Sequence, residues 1–223
     1  MPTVLITGAN RGIGLEFARQ YSAEGWQVIA TVREPAEADE LKAVADVRVE
    51  QLAMLDLDSV VGFGQRIDGP LNLLVANAGT WIPETAETAE DGREWAEMLA
   101  VNAIAPYLLA KSVLGHVADA RGKLVAISSR MGSIDDNGSG GHVPYRTSKA
   151  ALNMAWRSLA IEARPLGVCA AVLNPGWVKT RMGGPNAPTP PEQSIAAMRE
   201  VIDGLGPDQS GQFLNHDGSP VPW

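Results

Sequence analysis

The chain has 223 residues, of which 45% are hydrophobic and 20% charged; this fits one globular domain and excludes disordered and fibrous classes. Eighteen Lys and Arg against 26 Asp and Glu leave a net charge of −8, and with no concentrated basic patch such a chain repels a phosphate backbone, so no nucleic-acid partner is expected. The lone Cys169 excludes an internal disulfide and a multi-cysteine cluster, and no metal is expected. With no basic region ahead of the first apolar stretch and no apolar run of about eighteen residues, the chain is expected to be cytoplasmic, without a membrane partner.

Short apolar runs alternate with amphipathic ones along the chain. Strands are predicted at Val4–Thr7, Gln27–Val32, Val47–Leu52, Leu71–Ala76, Lys123–Ser128, Val168–Leu173 and, more weakly, Gln212–Asn215. Helices are predicted between them at Gly12–Glu24, Ala36–Ala45, Ser59–Ile67, Glu90–Ala118, Tyr145–Ala163 and Glu192–Ile202. The strand cores are continuously apolar, as burial on both faces requires, so the pattern predicts an α/β fold. Its core is one doubly wound parallel sheet of about seven strands with helices on both faces. No linker divides residues 1–223. Two segments break the rhythm: 130–144 is polar and glycine-rich, and 174–191 holds five prolines and three glycines. Both follow strand carboxyl ends, where open α/β sheets bind ligands, and they are expected to rim a site.

The first strand runs directly into Thr7-Gly8-Ala9-Asn10-Arg11-Gly12-Ile13-Gly14. Gly8 permits the sharp exit, Gly12 lets the backbone approach a pyrophosphate, and Gly14 lets the helix pack on the sheet. The strand before and the helix after supply the context that a dinucleotide site needs.

These residues resemble the cofactor turn of the short-chain dehydrogenases/reductases, a Rossmann-type family, and the resemblance spans essentially the whole chain. Asn77-Ala78-Gly79 is similar to the family motif after the fourth strand, and Asn102 to its helical asparagine. Ser129, Tyr145 and Lys149 match the catalytic serine and the Y-x-x-x-K pair, and Pro175-Gly176 with Val178 and Thr180 matches the loop after the sixth strand. The segment from Ser128 to Met154 and the ending FLNHDGSPVPW are most similar to C-factor and sniffer-like carbonyl reductases. From Ser129 to Tyr145 is sixteen residues, three more than the family's commonest spacing, a length that the glycine-rich loop absorbs at small entropic cost.

An acidic residue at the end of the second strand would accept hydrogen bonds from the ribose hydroxyls of NAD. Here Val32-Arg33 stands there, and Arg11 adds a second cation, so NADP(H) is expected, each arginine contributing roughly 1.5–3 kcal/mol to a 2′-phosphate. The alternative is two solvated arginines, with Arg33 paired to Glu34. Asp56, followed by Leu57, matches the family residue at the adenine, although Asp56 and Asp58 equally suit a turn or helix cap.

Tyr145 and Lys149 lie one helical turn apart on one face. An ammonium about 4 Å from a phenol, at an effective dielectric of about 20, favours phenolate by roughly 4 kcal/mol, or about three pKa units, and desolvation opposes this. The resemblance implies that Tyr145 protonates a carbonyl oxygen as hydride arrives and that Ser129 stabilises that oxygen. It also implies that Lys149 holds the ribose and that Asn102 supports a water relay. Pro106 cannot donate to the Asn102 carbonyl, which points to the backbone oxygen as the relay group. The expected activity is NADPH-dependent reduction of a small to medium uncharged ketone or aldehyde, or the reverse alcohol oxidation. The alternative is an NAD(P)-binding sensor of C-factor type with little turnover.

Trp81 and Trp177 are candidate walls of an apolar pocket or simple covers of a sheet edge, and His142 sits at the rim. Arg130 and Arg146 flank the pocket. His116, His216 and Cys169 read as packing or surface residues, and the acidic cluster Glu84–Glu97 as a solvated helix face. The long helices around Glu90–Ala118 and Tyr145–Ala163 are those through which family members pair, leaving homodimer, homotetramer and monomer open. Fluorescence titration is expected to show NADPH bound more tightly than NADH; equal affinities contradict the assignment of Arg11 and Arg33.

Overall fold

The computed structural model describes residues 1–81 and 86–223, so Glu84 of the acidic cluster lies outside the described residues. Seven parallel strands form one sheet: β1 (Thr3–Thr7), β2 (Gln27–Val32), β3 (Val47–Gln51), β4 (Leu73–Ala76), β5 (Lys123–Ile127), β6 (Cys169–Asn174) and β7 (Phe213–Asn215). Their order is β3-β2-β1-β4-β5-β6-β7. The order reverses between β1 and β4, which pair through Val4–Leu73, Leu5–Leu74 and Ile6–Val75. A reversal of this kind opens a crevice at the strand carboxyl ends.

The central strands are buried on both faces, which accounts for their unbroken apolar sequences. One layer packs Phe63, Leu109, Val113, Trp156 and Leu159 against the sheet, and the other packs Phe17, Tyr21, Ile195 and Met198. The edge strand β3 instead alternates, and Arg48 and Glu50 pair with each other. Charges on an edge discourage pairing with another chain.

The helices are α1 (Gly12–Ala23), α2 (Asp39–Lys42), α3 (Leu57–Gly62), α4 (Ala89–Leu99), α5 (Ala105–Asp119), α6 (Val143–Ala163) and α7 (Pro191–Gly204). The expected helix over 36–45 is a 3₁₀ turn at Pro35–Glu37 followed by the four-residue α2. The expected helix over 59–67 changes to a 3₁₀ turn at Phe63–Arg66. The expected single helix over 90–118 is broken by a π-turn at Ala100–Ile104, where the Ala105 N–H donates to the Ala100 carbonyl. Pro106 explains this: it offers no N–H to residue 102 and its ring crowds that carbonyl, so the ladder loosens there.

Residues Ala89–Asp119 are long and apolar enough to cross a membrane by length and composition, a property that the sequence reading did not register. Met98, Ala103, Leu109, Ala110, Val113 and Val117 within it are nonetheless fully or almost fully buried in the protein, the signature of a core helix.

Trp156 is fully buried, and its indole N–H donates to the Leu124 carbonyl at 3.1 Å. Trp156→Ala leaves a large cavity, and urea unfolding is expected to show a loss of roughly 3–5 kcal/mol.

Candidate active site

The carboxyl ends of β1 and β4 are latched together at the crevice. Thr7 Oγ1 accepts from the backbone N–H groups of Asn77 at 3.0 Å and Ala78 at 2.9 Å. In return, the Asn77 amide donates to the Thr7 carbonyl at 2.9 Å and the Gly8 carbonyl at 3.2 Å. Gly14 closes on the same latch: a Cβ there would stand 2.4 Å from the Gly8 oxygen and 2.6 Å from Asn77 Nδ2. The first glycine turn and the Asn-Ala-Gly motif are thus one interlocked unit. Gly12 lies at φ 55° with Thr180 beside it. An open cavity of about 240 Å³ adjoins Gly12, lined by both signs of charge, Arg11, Lys179 and Arg181 alongside Glu16, Glu40 and Glu192.

At the next strands, α6 carries Tyr145 and Lys149 into the sheet's end. Lys149 is buried, its Nζ donates to the Ile127 carbonyl at 3.0 Å, and it lies 5.8 Å from the centre of the Tyr145 ring. Ser129 leaves β5 in extended conformation, its Oγ accepts from the Met131 N–H at 3.2 Å, and its hydroxyl stands close enough to the Tyr145 phenol to influence its ionisation. Its neighbour Ser128 turns the other way and donates to Asn153 at 2.7 Å. Gly132 lets this turn lie against α6, because a Cβ there would come within 2.8 Å of Lys149 backbone and Cβ atoms.

Asn102 is fully buried in the π-turn. Its Oδ1 accepts from the Thr80 N–H at 2.8 Å, and its amide donates to the Thr80 carbonyl at 2.9 Å and to Ser148 Oγ at 3.0 Å. Ser148 in turn donates to the Tyr145 carbonyl at 2.8 Å. The side chain is therefore taken up in bracing Thr80 to α6, and the Asn102 carbonyl has lost its helical donor to Pro106. Thr80 carries Trp81 behind it, whose ring lies 4.3 Å from the Tyr145 ring and 5.2 Å from that of His142. Ser148, Thr80 and Asn153 escaped the sequence reading; the available signal was polar side chains inside otherwise buried helix faces.

Burial pushes the Tyr145 phenol up to about 12, with the neighbouring Ser129 hydroxyl opposing. Burial also brings the Lys149 ammonium down to about 8. The expectation that Lys149 lowers the Tyr145 pKa is not met in this state: the ammonium points to Ile127, and desolvation dominates both groups.

Gly79 sits at the open edge of the site, where a Cβ would lie 3.3 Å from Asn102 Oδ1 and 3.7 Å from Lys149 Nζ. This bare backbone between polar groups, with the Gly12 turn beside it, fits a dinucleotide laid across the strand ends. Arg11 and Arg33 are exposed on the side of α1 and β2. Asp56 caps α3, accepting from the Ser59 N–H at 3.1 Å and the Ser59 hydroxyl at 2.6 Å, and its carboxylate stays exposed with acceptor capacity to spare beside Leu57. Pro175 and Gly176 follow β6, and Val178 bridges to Thr189.

Both rim loops are internally bonded. Trp177 is exposed and its indole donates to the Gly183 carbonyl at 2.7 Å, so it braces its own loop. Arg130 pairs with Asp136 at 2.7 Å, and Arg146 donates to the Gly140 and Gly141 carbonyls and to Ser139. His116 lies against the Gly69 carbonyl, Cys169 against that of Gly206, and His216 beside Gly176.

A family model described as short chain dehydrogenase matches residues 2–190. The chain belongs to the short-chain dehydrogenases. It is 42% identical to the C-signal of Myxococcus xanthus over 156 residues, 70% of this chain and 94% of that protein. The carbonyl reductase Sniffer of D. melanogaster superposes with a TM-score of 0.93 at 33% identity, covering 100% of both chains. The NADPH-bound carbonyl reductase from chicken fatty liver gives 0.89 at 34% identity, covering 100% of this chain and 99% of that one.

Because the Lys149 ammonium falls from 10.5 to about 8 on folding, the unfolded chain binds more protons between those values, and stability rises with pH across that window. Below about pH 8 the full burial cost is present. Lys149→Met is expected to raise the unfolding free energy at pH 7 by up to roughly 3 kcal/mol, as read from urea unfolding, with the gain disappearing towards pH 10.5.

Proposed function

We propose that the protein is an NADP(H)-dependent carbonyl reductase, acting on small to medium uncharged ketones or aldehydes or on the corresponding alcohols. The observation that carries this reading is the group at the strand ends: the buried Tyr145 phenol with Ser129 near it, the buried Lys149 ammonium 5.8 Å from the centre of its ring, and the bare, exposed Gly79 backbone beside that ammonium.

NADP(H), when bound, supplies or accepts the hydride. Gly8, Asn10, Gly12, Ile13 and Gly14 offer the turn for its pyrophosphate, Arg11 and Arg33 the cations for a 2′-phosphate, and Asn77, Ala78 and Gly79 the central floor. Leu57 borders the adenine side, while Pro175, Gly176, Val178 and Thr180 line the nicotinamide side. Tyr145 gives its proton to the substrate oxygen as charge develops there. Ser129 donates a hydrogen bond to the same oxygen and stabilises that charge in a dry site. Lys149 holds the ribose, and the Asn102 carbonyl carries the water through which the proton is replaced.

An uncharged substrate is supported by the fate of the two rim arginines, since Arg130 and Arg146 are engaged within their own loop. Exposed Ile104, Met154 and Ile161 on the α4–α6 side suit pairing into a homodimer or homotetramer.

A second reading, a dinucleotide-binding signalling protein with little turnover, is favoured by the 42% identity to C-signal. Tyr145→Phe separates the two. The reductase reading predicts loss of NADPH consumption by about a hundredfold to ten-thousandfold with NADPH binding retained; tight NADPH binding with no consumption by the wild type supports the sensor. Arg33→Ala is expected to weaken NADPH about tenfold to a hundredfold and leave NADH binding unchanged, as read by fluorescence titration.

A further inference from the structure

The main-chain oxygen of Trp223 accepts three hydrogen bonds from three consecutive residues of the loop that follows Ser129. The Ile134 N–H donates at 2.8 Å, the Asp135 N–H at 2.9 Å and the Ser133 hydroxyl at 3.0 Å. The Trp223 ring rests on Phe213 of β7 with 5.7 Å between ring centres, and Val221 beneath it is buried and bonded through its N–H to the Phe213 carbonyl. We propose that Trp223 is a positioning residue for catalysis, its main-chain oxygen serving as the anchor on which the Ser129 turn is built. This rests on the reductase reading of the site.

The physical route is short. Ser133 is buried, and besides donating to Trp223 it accepts from the Asp136 N–H at 3.0 Å. That holds Asp136 where its carboxylate pairs with Arg130, the residue next to Ser129. A second link reaches the same place from β7: Asn215 Oδ1 accepts from Asn174, and Asn174 Oδ1 accepts from the Arg130 N–H at 3.2 Å. From the inner side, Asn153 donates to the Gly132 carbonyl at 3.3 Å. The turn that presents Ser129 to Tyr145 is thus gripped from within by α6 and from outside by β7 and the segment after it. The long spacing between Ser129 and Tyr145 adds chain that must be held somewhere, and its first part, Ser133–Asp136, is held by Trp223. Displacement of a substrate-positioning group by about 1 Å costs roughly a hundredfold in rate, so a loosened anchor acts on turnover and leaves the distant Gly12 turn alone.

The test compares the full chain with a chain stopped after Val221, with Ser133→Ala, which removes one donor to Trp223 and the acceptor of the Asp136 N–H and leaves the Phe213 packing intact, and with Trp223→Phe, which keeps the main-chain oxygen and an aromatic ring. Turnover is followed by NADPH absorbance with an aliphatic aldehyde, a cyclic ketone and a diketone, NADPH affinity by fluorescence, and the Ile134 and Asp135 amides by hydrogen exchange. The proposal predicts that the shortened chain loses about tenfold to a hundredfold in kcat with its Kd for NADPH within about twofold. Ser133→Ala shifts kcat in the same direction by less, Trp223→Phe restores it, and the two amides are protected in the full chain and exposed in the shortened one. A lowered melting temperature with unchanged kcat, or equal losses in kcat and NADPH affinity, overturns it. If the full chain reduces none of the carbonyls, the reductase reading fails instead; the amides still decide the anchor, and rapid exchange of Ile134 and Asp135 in the full chain overturns it.

Discussion

The site is organised around one buried cation. Lys149 sits inside the fold with its ammonium donating to a single backbone carbonyl, that of Ile127. A protonated amine in such a place is costly, and burial draws its pKa down to about 8. Gly132 lets the Ser129 turn lie against its stem, Gly79 leaves open space 3.7 Å from its head where a Cβ would otherwise stand, and Asn102 borders the same space. Fold stability and chemistry pull in opposite directions here, the usual condition of a functional site.

The doubly wound sheet explains why these groups meet. Parallel strands deliver all their carboxyl ends to one side, and the reversal between β1 and β4 opens the crevice there. Thr7 and Asn77, at the ends of those two strands, lock together, so the glycine turn and the floor of the site move as one unit. Asn102 then ties the floor to α6 through Thr80 and Ser148. Each motif that the sequence displays separately is one contact in a continuous polar frame.

Much of this was legible in the residues alone. Seven apolar runs and their spacing gave the strands, because two-sided burial leaves an unbroken pattern, and the glycines at 8, 12 and 14 stand where close approach demands them. Tyr145 and Lys149 advertise themselves by helical spacing. What stayed hidden depends on long-range packing. The direction of the Lys149 head, toward Ile127, follows from the depth of the pocket and not from the four-residue spacing, and so does the raised Tyr145 pKa. Asp56 suited a helix cap by local rules, and the cap on Ser59 is present. The π-turn at Ala100–Ile104 needed the conflict between Pro106 and an otherwise continuous helix to be resolved in three dimensions. The role of Trp81 over Tyr145 needed the Asn102 brace on Thr80, a contact spanning twenty-two residues.

The central claim is that this polar frame serves hydride transfer to a carbonyl carbon. The most direct measurement is a single-turnover experiment with NADPH carrying deuterium at the transferable position of its nicotinamide, followed by mass spectrometry of the product. The account predicts deuterium on the carbinol carbon of the alcohol, delivered to one face. Bound NADPH that keeps its deuterium in the presence of aldehydes, cyclic ketones and diketones contradicts it.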